Sequence, residues 1–280
     1  GMDLVVLTDA DQDGVADGPA GKQVEQICSA AAINSRGTDH STNGIQLGID
    51  GWIYIAIGDF GFADAVDREG TKLTLLGGGI VRVRPDGTEM ELYTTGMRNI
   101  YDVAIDPFMN MFTRGNTNDG GGWNVRFTHH IQSGEYGYPR HFVSFASEIV
   151  PALEDLGGGS GVGALFLDEP NWPESYNKQP LMADWGRTAV YLHRLEKDGP
   201  SFQQQQEEFV QVSQVSDLDV DPSGQMFLSA WDGAGFKGDD TKGYVVRAVP
   251  SDFSPAPFPN FSAANLDELV ELIGSASDKT

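Results

Sequence analysis

The chain has 280 residues, 40% of them hydrophobic, which is enough for a sizeable core and permits one large all-β domain or two ordinary ones. Its 18 basic and 41 acidic residues leave a net charge of −23. A field of that sign repels phosphate backbones and anionic headgroups, which excludes nucleic acid and membrane surfaces as favoured partners and suits divalent cations.

Glycine is 35 of 280, against a usual share of roughly 7%. With many short apolar runs, that excess favours a turn-rich β protein. Cys28 is the single cysteine, so no internal disulfide forms. No apolar run approaches the ~20 residues a membrane span needs, and no secretory leader opens the chain. The expectation is therefore a cytoplasmic protein, or one whose natural amino terminus lies upstream.

The first element is an apolar strand in "DLVVLTDADQDG" (3–14), which runs into "TDADQDGVADG" (8–18). Asp9, Asp11, Asp13 and Asp17 fit D-x-D-x-D-G-x-x-D, the first half of a calcium loop, with Gly14 turning the chain so that carboxylates converge on a hard cation. The carbonyl of Val15 and the side chain of Asp17 would complete the shell. An EF-hand carries a bidentate Glu at the twelfth place, where this chain has Ala20, and the flanks read as strands. The prediction is a calcium-binding hairpin loop of structural role, set against a solvated acidic turn with no metal.

A repeat follows: apolar strand, Asp, a short turn with glycine, second strand, then Asp or Gly. It occurs in "GIQLGIDGWIYIAIGD" (44–59), "DVAIDPFMNMFTRGN" (102–116) and "DLDVDPSGQMFLSAWDG" (217–233), with a weaker copy in 161–186. The aligned aspartates are Asp50, Asp106 and Asp221. Further strands follow in 79–87, 189–199 and 243–250. Such units, repeated every ~40–50 residues, predict a β-propeller of four-stranded antiparallel blades, with about five blades present and the first entered at its third strand. Residues 1–250 would form this domain and 251–264 a Pro-rich linker. In 265–280 a short helix is capped by Asn265 and carries an apolar stripe of Leu266, Leu269, Val270 and Ile273, which makes it either a docked tail or the start of a further helical domain.

Propellers bind ligands at one mouth of the central channel. The stretches falling there are "RGTDHSTNGIQLG" (36–48) with His40, "GDFG" (58–61), "TTGMRNIYDVAIDP" (94–107) with Arg98 and Asn99, and a long glycine-rich loop over 113–139. That last loop carries Asn116, Asn118, Asp119 and the adjacent pair His129 and His130. The pair adjoins a strand, so the two side chains point to opposite faces and at most one faces the channel. Trp52, Tyr54, Trp185 and Trp231 are read as packing between blades.

The order D-H, then D-G-x-h-Y-h-x-x-G-D-x-G, then G-x-R-N, then H-I-x-x-G-x-Y-G-x-P resembles the pyrroloquinoline quinone (PQQ)-dependent soluble glucose and aldose-sugar dehydrogenases. It is more similar still to the dehydrogenase-like propellers of large multidomain bacterial proteins, where helical repeats and a haem-binding domain follow. The resemblance covers residues 3–250 and is most specific in "DHSTNGIQLGIDGWIYIAIGDFG" and "GEYGYP". It implies a six-bladed family fold, a periplasmic or secreted setting, a sugar or alcohol substrate and a haem domain as electron acceptor in the full-length protein. It makes His40 the general base and sets Arg98 against the quinone. Asn99, Gly115, Asn116, Asp119 and His130 become cofactor-side residues, the carbonyls of Gly115 and Asn116 being nearest to those that hold the cofactor's calcium. Three functions stand side by side at this point: a PQQ-dependent sugar or alcohol dehydrogenase domain, a non-catalytic calcium-stiffened propeller that binds carbohydrate or protein, and a metal-dependent lactonase-type hydrolase.

Overall fold

A computed structural model describes residues 3–11, 13–27, 40–118, 121–233, 241–255, 260 and 263–272. The chain divides into two compact units, Gly1–Gly161 and Val162–Thr280.

Unit 1 begins with β1 (Leu4–Thr8) and β2 (Gly18–Glu25), followed by β3 (Thr42–Leu47), β4 (Ile53–Ile57), β5 (Phe62–Asp67), β6 (Lys72–Leu75), β7 (Gly78–Val83) and β8 (Glu91–Met97). Next come β9 (Ala104–Ile105), β10 (Met111–Arg114), β11 (Val125–His130), β12 (Gly134–Glu135), a short α1 (His141–Ser144) and β13 (Glu154–Gly157). These strands form three sheets in the orders β1-β2-β5-β6, β12-β8-β7-β4-β3 and β13-β11-β10-β9. The hairpin β5–β6 interrupts the second sheet in sequence but pairs with β2, matching Val24 to Asp67 and Glu25 to Val66. It has no counterpart in the repeat.

Strand β4 shows why these sheets stack as blades. Its sequence IYIAI is buried on both faces rather than alternating with solvent. Ile55 and Ile57 pack with Val24, Phe62, Leu75, Val81 and Val83, joining the first sheet to the second. Tyr54 and Ala56 face the other way, into a cluster with Ile80, Met97, Val103 and Met111 that joins the second sheet to the third. Fully burying one such side chain contributes about 1.5–3 kcal/mol, so a strand apolar on both faces is stable only between two sheets.

Unit 2 holds β14 (Gly161–Leu167), β15 (Gln179–Asp184), β16 (Ala189–Asp198) and β17 (Ser201–Gln211) in one four-stranded sheet. A second sheet has β18 (Val215–Val220), β19 (Met226–Trp231) and β20 (Gly243–Ala248). Leu165, Leu181 and Leu192 of the former pack with Leu218, Met226 and Leu228 of the latter. Trp185 and Trp231 lie 5.9 Å apart, in line with the packing role expected of them.

The repeated aspartates close hairpins. Asp106 accepts the backbone N–H groups of Phe108 and Asn110, each at 2.8 Å, and Asp221 accepts those of Ser223 at 2.9 Å and Gln225 at 3.0 Å. Asp67 does the same for Glu69 and Thr71 in the inserted hairpin. This is the turn chemistry of a short carboxylate side chain, and it accounts for the periodic Asp without any catalytic role.

At the carboxyl-terminal end α2 (Leu266–Leu272) is capped as expected. Asn265 Oδ1 accepts the N–H of Glu268 at 3.1 Å and the Glu268 carboxylate accepts the N–H of Asn265 at 2.8 Å, a capping box. Leu266, Leu269 and Val270 of its stripe are exposed; Ile273 lies outside the described residues.

Candidate functional site

Unit 1 brings the segment before β3 together with those that follow β4 and β8. His40 precedes β3, and its carbonyl accepts the N–H of Phe60 at 2.9 Å while that of Ser41 accepts the N–H of Gly58 at 2.6 Å. The turn after β4 is thereby fastened beneath the histidine. The imidazole stacks on the Phe60 ring at 4.6 Å, and its Nδ1 lies 2.7 Å from Asp59 Oδ1. An ionised carboxylate only accepts, so Nδ1 carries a proton toward Asp59, and in the neutral ring Nε2 presents a lone pair. The pair is sheltered but not sealed, with side chains 21% and 14% exposed.

Asn99 comes against the same turn. Its Oδ1 accepts from Asn43 Nδ2 at 3.1 Å, and that amide also donates to the Ile100 carbonyl at 2.7 Å. A Cβ added at Gly58 would lie 2.5 Å from the His40 carbonyl oxygen and closer still to Asn99 Oδ1. Glycine is what permits these two segments to meet.

Arg98 and Asn99 are buried, at 8% and 2% exposed. Beside them runs the segment after β11. Strand β12 pairs in parallel with β8, matching Gly134 to Thr94 and Glu135 to Thr95. Glu135 accepts from the Thr95 hydroxyl at 2.7 Å and the Gly137 N–H at 2.8 Å, and Tyr138 N–H donates to the Gly96 carbonyl at 2.8 Å. This stitching sets the Tyr138 ring beside Trp123 and lets its hydroxyl donate to Asn118 Oδ1 at 3.3 Å. Burial and then the Asp59 charge raise the Tyr138 phenol above its ordinary value, against the opposing influence of Arg98. Next to it a cleft of about 340 Å³ is lined by Asp59, Thr95, Glu135, Tyr138, Arg140 and His141.

The imidazole of residue 40 is tied to this cleft through Asp59, and Arg98 is buried next to Asn99, which reaches the same turn. Neither Asp59 nor Tyr138 was singled out from the sequence. Asp59 stands in "GDFG" and Tyr138 in "GEYGYP", stretches whose presence was legible but whose working side chains were not.

Other expected residues lie differently. His130 was expected beside a cofactor; it is instead enclosed, 2% exposed, with Nδ1 3.1 Å from the Thr94 hydroxyl and Nε2 2.8 Å from the Thr113 hydroxyl. Both ring nitrogens are thus satisfied inside the protein, and burial holds the imidazole down at about 3. His129, on the opposite face of β11, stacks on Phe112 at 5.2 Å. The stretch 113–139 is not one long loop, because β11 pairs residue by residue with β10. Gly115 and Asn116 lie in backbone pairing with the segment leading into β14: the Gly115 carbonyl accepts the Gly161 N–H at 3.0 Å, and Asn116 forms a bridge with Ser160. Asp119 lies outside the described residues.

In the acidic loop between β1 and β2, Asp9, Asp11 and Asp17 present carboxylate oxygens within 4.8 Å of one another. Gly14 has φ +84° and its N–H donates to Asp9 at 3.0 Å. Asp13 stands apart from that trio, its Oδ1 accepting the Val15 N–H at 2.8 Å. All of these side chains are exposed.

A family model described as "Domain of unknown function (DUF7133)" matches residues 1–224. No curated protein matches the sequence. Among solved structures, an oxidoreductase described as a glucose dehydrogenase, from Thermus thermophilus, aligns at TM-score 0.62 and 19% identity over 87% of this chain and 73% of its own. The PQQ-bound aldose sugar dehydrogenase of Streptomyces coelicolor aligns at 0.54 and 16% over 74% of this chain and 61% of its own. The apo-form of the soluble aldose sugar dehydrogenase of Escherichia coli aligns at 0.57 and 13% over 87% and 71%. At such identities the likeness is one of fold: a sugar-dehydrogenase-like β-propeller. Among the described residues no helix is long and apolar enough to cross a membrane.

Proposed function

We propose that this chain, which belongs to the DUF7133 family, is the propeller domain of a quinoprotein-type dehydrogenase that oxidises the hydroxyl of an aldose or alcohol. The observation that carries the reading is the His40–Asp59 pair at 2.7 Å, on a turn that the Asn99 side chain also reaches. His40 Nε2 takes the hydroxyl proton as the C–H bond gives up its hydride. Asp59 fixes the tautomer and stabilises the imidazolium that results. Arg98 and the Tyr138 hydroxyl would stabilise the negative charge that develops on an acceptor oxygen.

The donor set suits a quinone of the PQQ class. A buried guanidinium, the Asn99 amide and the Tyr138 hydroxyl are groups that hold carbonyl and carboxylate oxygens. Bound there, such a quinone supplies the hydride-accepting half of the oxidation. Arg140 supplies a cation at the cleft.

In the same reading residues 1–250 make one propeller, a haem domain elsewhere in the full-length protein receives the electrons, and the setting is periplasmic or secreted. Asp9, Asp11 and Asp17 would hold a calcium ion of structural role in the hairpin loop. The test is dye reduction by the 280-residue chain given PQQ, calcium and a panel of aldoses and alcohols. Turnover that disappears in His40→Ala is the expected result. Turnover that survives His40→Ala, or a protein that retains no quinone and reduces no dye, refutes the proposal.

A further inference from the structure

Glu135 lines the same cleft as Asp59, the partner of His40. Its carboxylate is held from two sides, Oε2 accepting from the Thr95 hydroxyl at 2.7 Å and Oε1 from the Gly137 N–H at 2.8 Å. Gly96 makes room for it: φ there is +81°, and a Cβ would collide with Glu135 Oε1. The backbone already joins β12 to β8, with the N–H groups of Tyr136 and Tyr138 donating to the Thr95 and Gly96 carbonyls at 3.0 and 2.8 Å. The pairing of these strands therefore does not depend on the carboxylate.

Two carboxylate oxygens offer about four lone-pair sites, and these two bonds use two of them. His141 keeps its Nδ1 3.9 Å from Oε1, beyond hydrogen-bonding distance. The Glu135 side chain is 35% exposed, at a cleft whose volume of about 340 Å³ is in the range of small-molecule sites. A group that only accepts selects ligands with protons to donate. A simple alcohol has one hydroxyl, and in the proposed reaction that one gives its proton to His40. An aldose brings further hydroxyls beside it. Asp59 already serves the imidazole, which leaves Glu135 as the cleft carboxylate to receive one of them.

We propose that Glu135 is a specificity-determining residue that accepts a hydrogen bond from a substrate hydroxyl other than the one oxidised, which narrows the substrate class from alcohols in general to aldoses. The inference rests on the reading of this cleft as the substrate's, but its test needs neither quinone nor dye.

Equilibrium binding to the full chain is followed by saturation-transfer NMR, with D-glucose and the monodeoxyglucoses, each lacking one hydroxyl beyond the anomeric one, as probes. The wild type is expected to bind D-glucose, and to bind one deoxy sugar about tenfold or more weakly, the usual worth of a hydrogen bond to a charged group. Glu135→Gln is expected to weaken D-glucose by a similar factor yet to bind that same deoxy sugar as the wild type does, because both changes remove one bond. A merely structural role would weaken every sugar alike. Should Glu135→Gln fail to fold, Thr95→Val, which leaves the carboxylate but removes one of its two props, is expected to weaken D-glucose and spare the same deoxy sugar. No binding of D-glucose by the wild type, no effect of the substitution, or an equal loss for every sugar overturns the inference. Dye reduction that fails while the binding pattern holds refutes the dehydrogenase reading alone.

Discussion

His40 and Asp59 hold each other at 2.7 Å across a turn that Gly58 keeps thin enough for Asn99 to reach. The pair has the form of a base with its orienting acid, and its two members act as a unit. In PQQ- and calcium-supplied dye reduction, His40→Ala is expected to lower kcat by about 10²–10⁴, the usual contribution of a general base. Asp59→Asn preserves the shape but removes the charge that favours the imidazolium and the acceptor-only group that fixes the tautomer; it should lower kcat with little change in KM.

Gly58→Ala tests the geometry without touching a charged group. The new methyl would meet the His40 backbone carbonyl at 2.5 Å, and a backbone atom cannot swing aside. A loss of about 1–3 kcal/mol of stability, the typical cost of overpacking, is expected in urea melts. Activity should fall further than that loss explains, because His40 and Asn99 must separate.

The acidic loop predicts a metal-dependent stability. Carboxylate oxygens of Asp9, Asp11 and Asp17 lie within 4.8 Å, a repulsive arrangement that a divalent ion relieves. Calcium at about 100 times its dissociation constant should stabilise the fold by about 2.7 kcal/mol, read as a rise in Tm. Asp9→Asn together with Asp17→Asn should abolish the rise, while Asp13→Asn, whose carboxylate already serves Val15, should weaken it less.

His130 predicts an acid-sensitive core. Burial, with a smaller push from His129, holds its imidazole at about 3 in the folded protein, whereas in the unfolded chain it protonates near pH 6.5. Between those values the unfolded state binds more protons, so stability falls as pH is lowered from about 6.5 and levels off near 3. Burial lowers His129 too, in the same sense. Denaturant melts at intervals across this window should show a shallower pH slope for His130→Gln than for the wild type.

Local sequence by itself determined the strands, their repeat and their turns. Apolar alternation and the Asp-turn-Gly punctuation are properties of neighbouring residues, so Asp106 and Asp221 close hairpins where the repeat placed them, and Asn265 caps its helix. The carboxylates of Asp9, Asp11 and Asp17 were legible for the same reason, since their meeting needs only one glycine-centred turn. Which side chains share a site was decided by pairing between strands far apart in sequence. Strand β12 lies parallel to β8 in a register that fastens Tyr138 to Gly96, and the Thr94 and Thr113 hydroxyls close over His130 because β8 and β10 flank it. No local periodicity encodes that register; it is fixed by the burial of both faces of the second sheet, which only the assembled stack of sheets supplies.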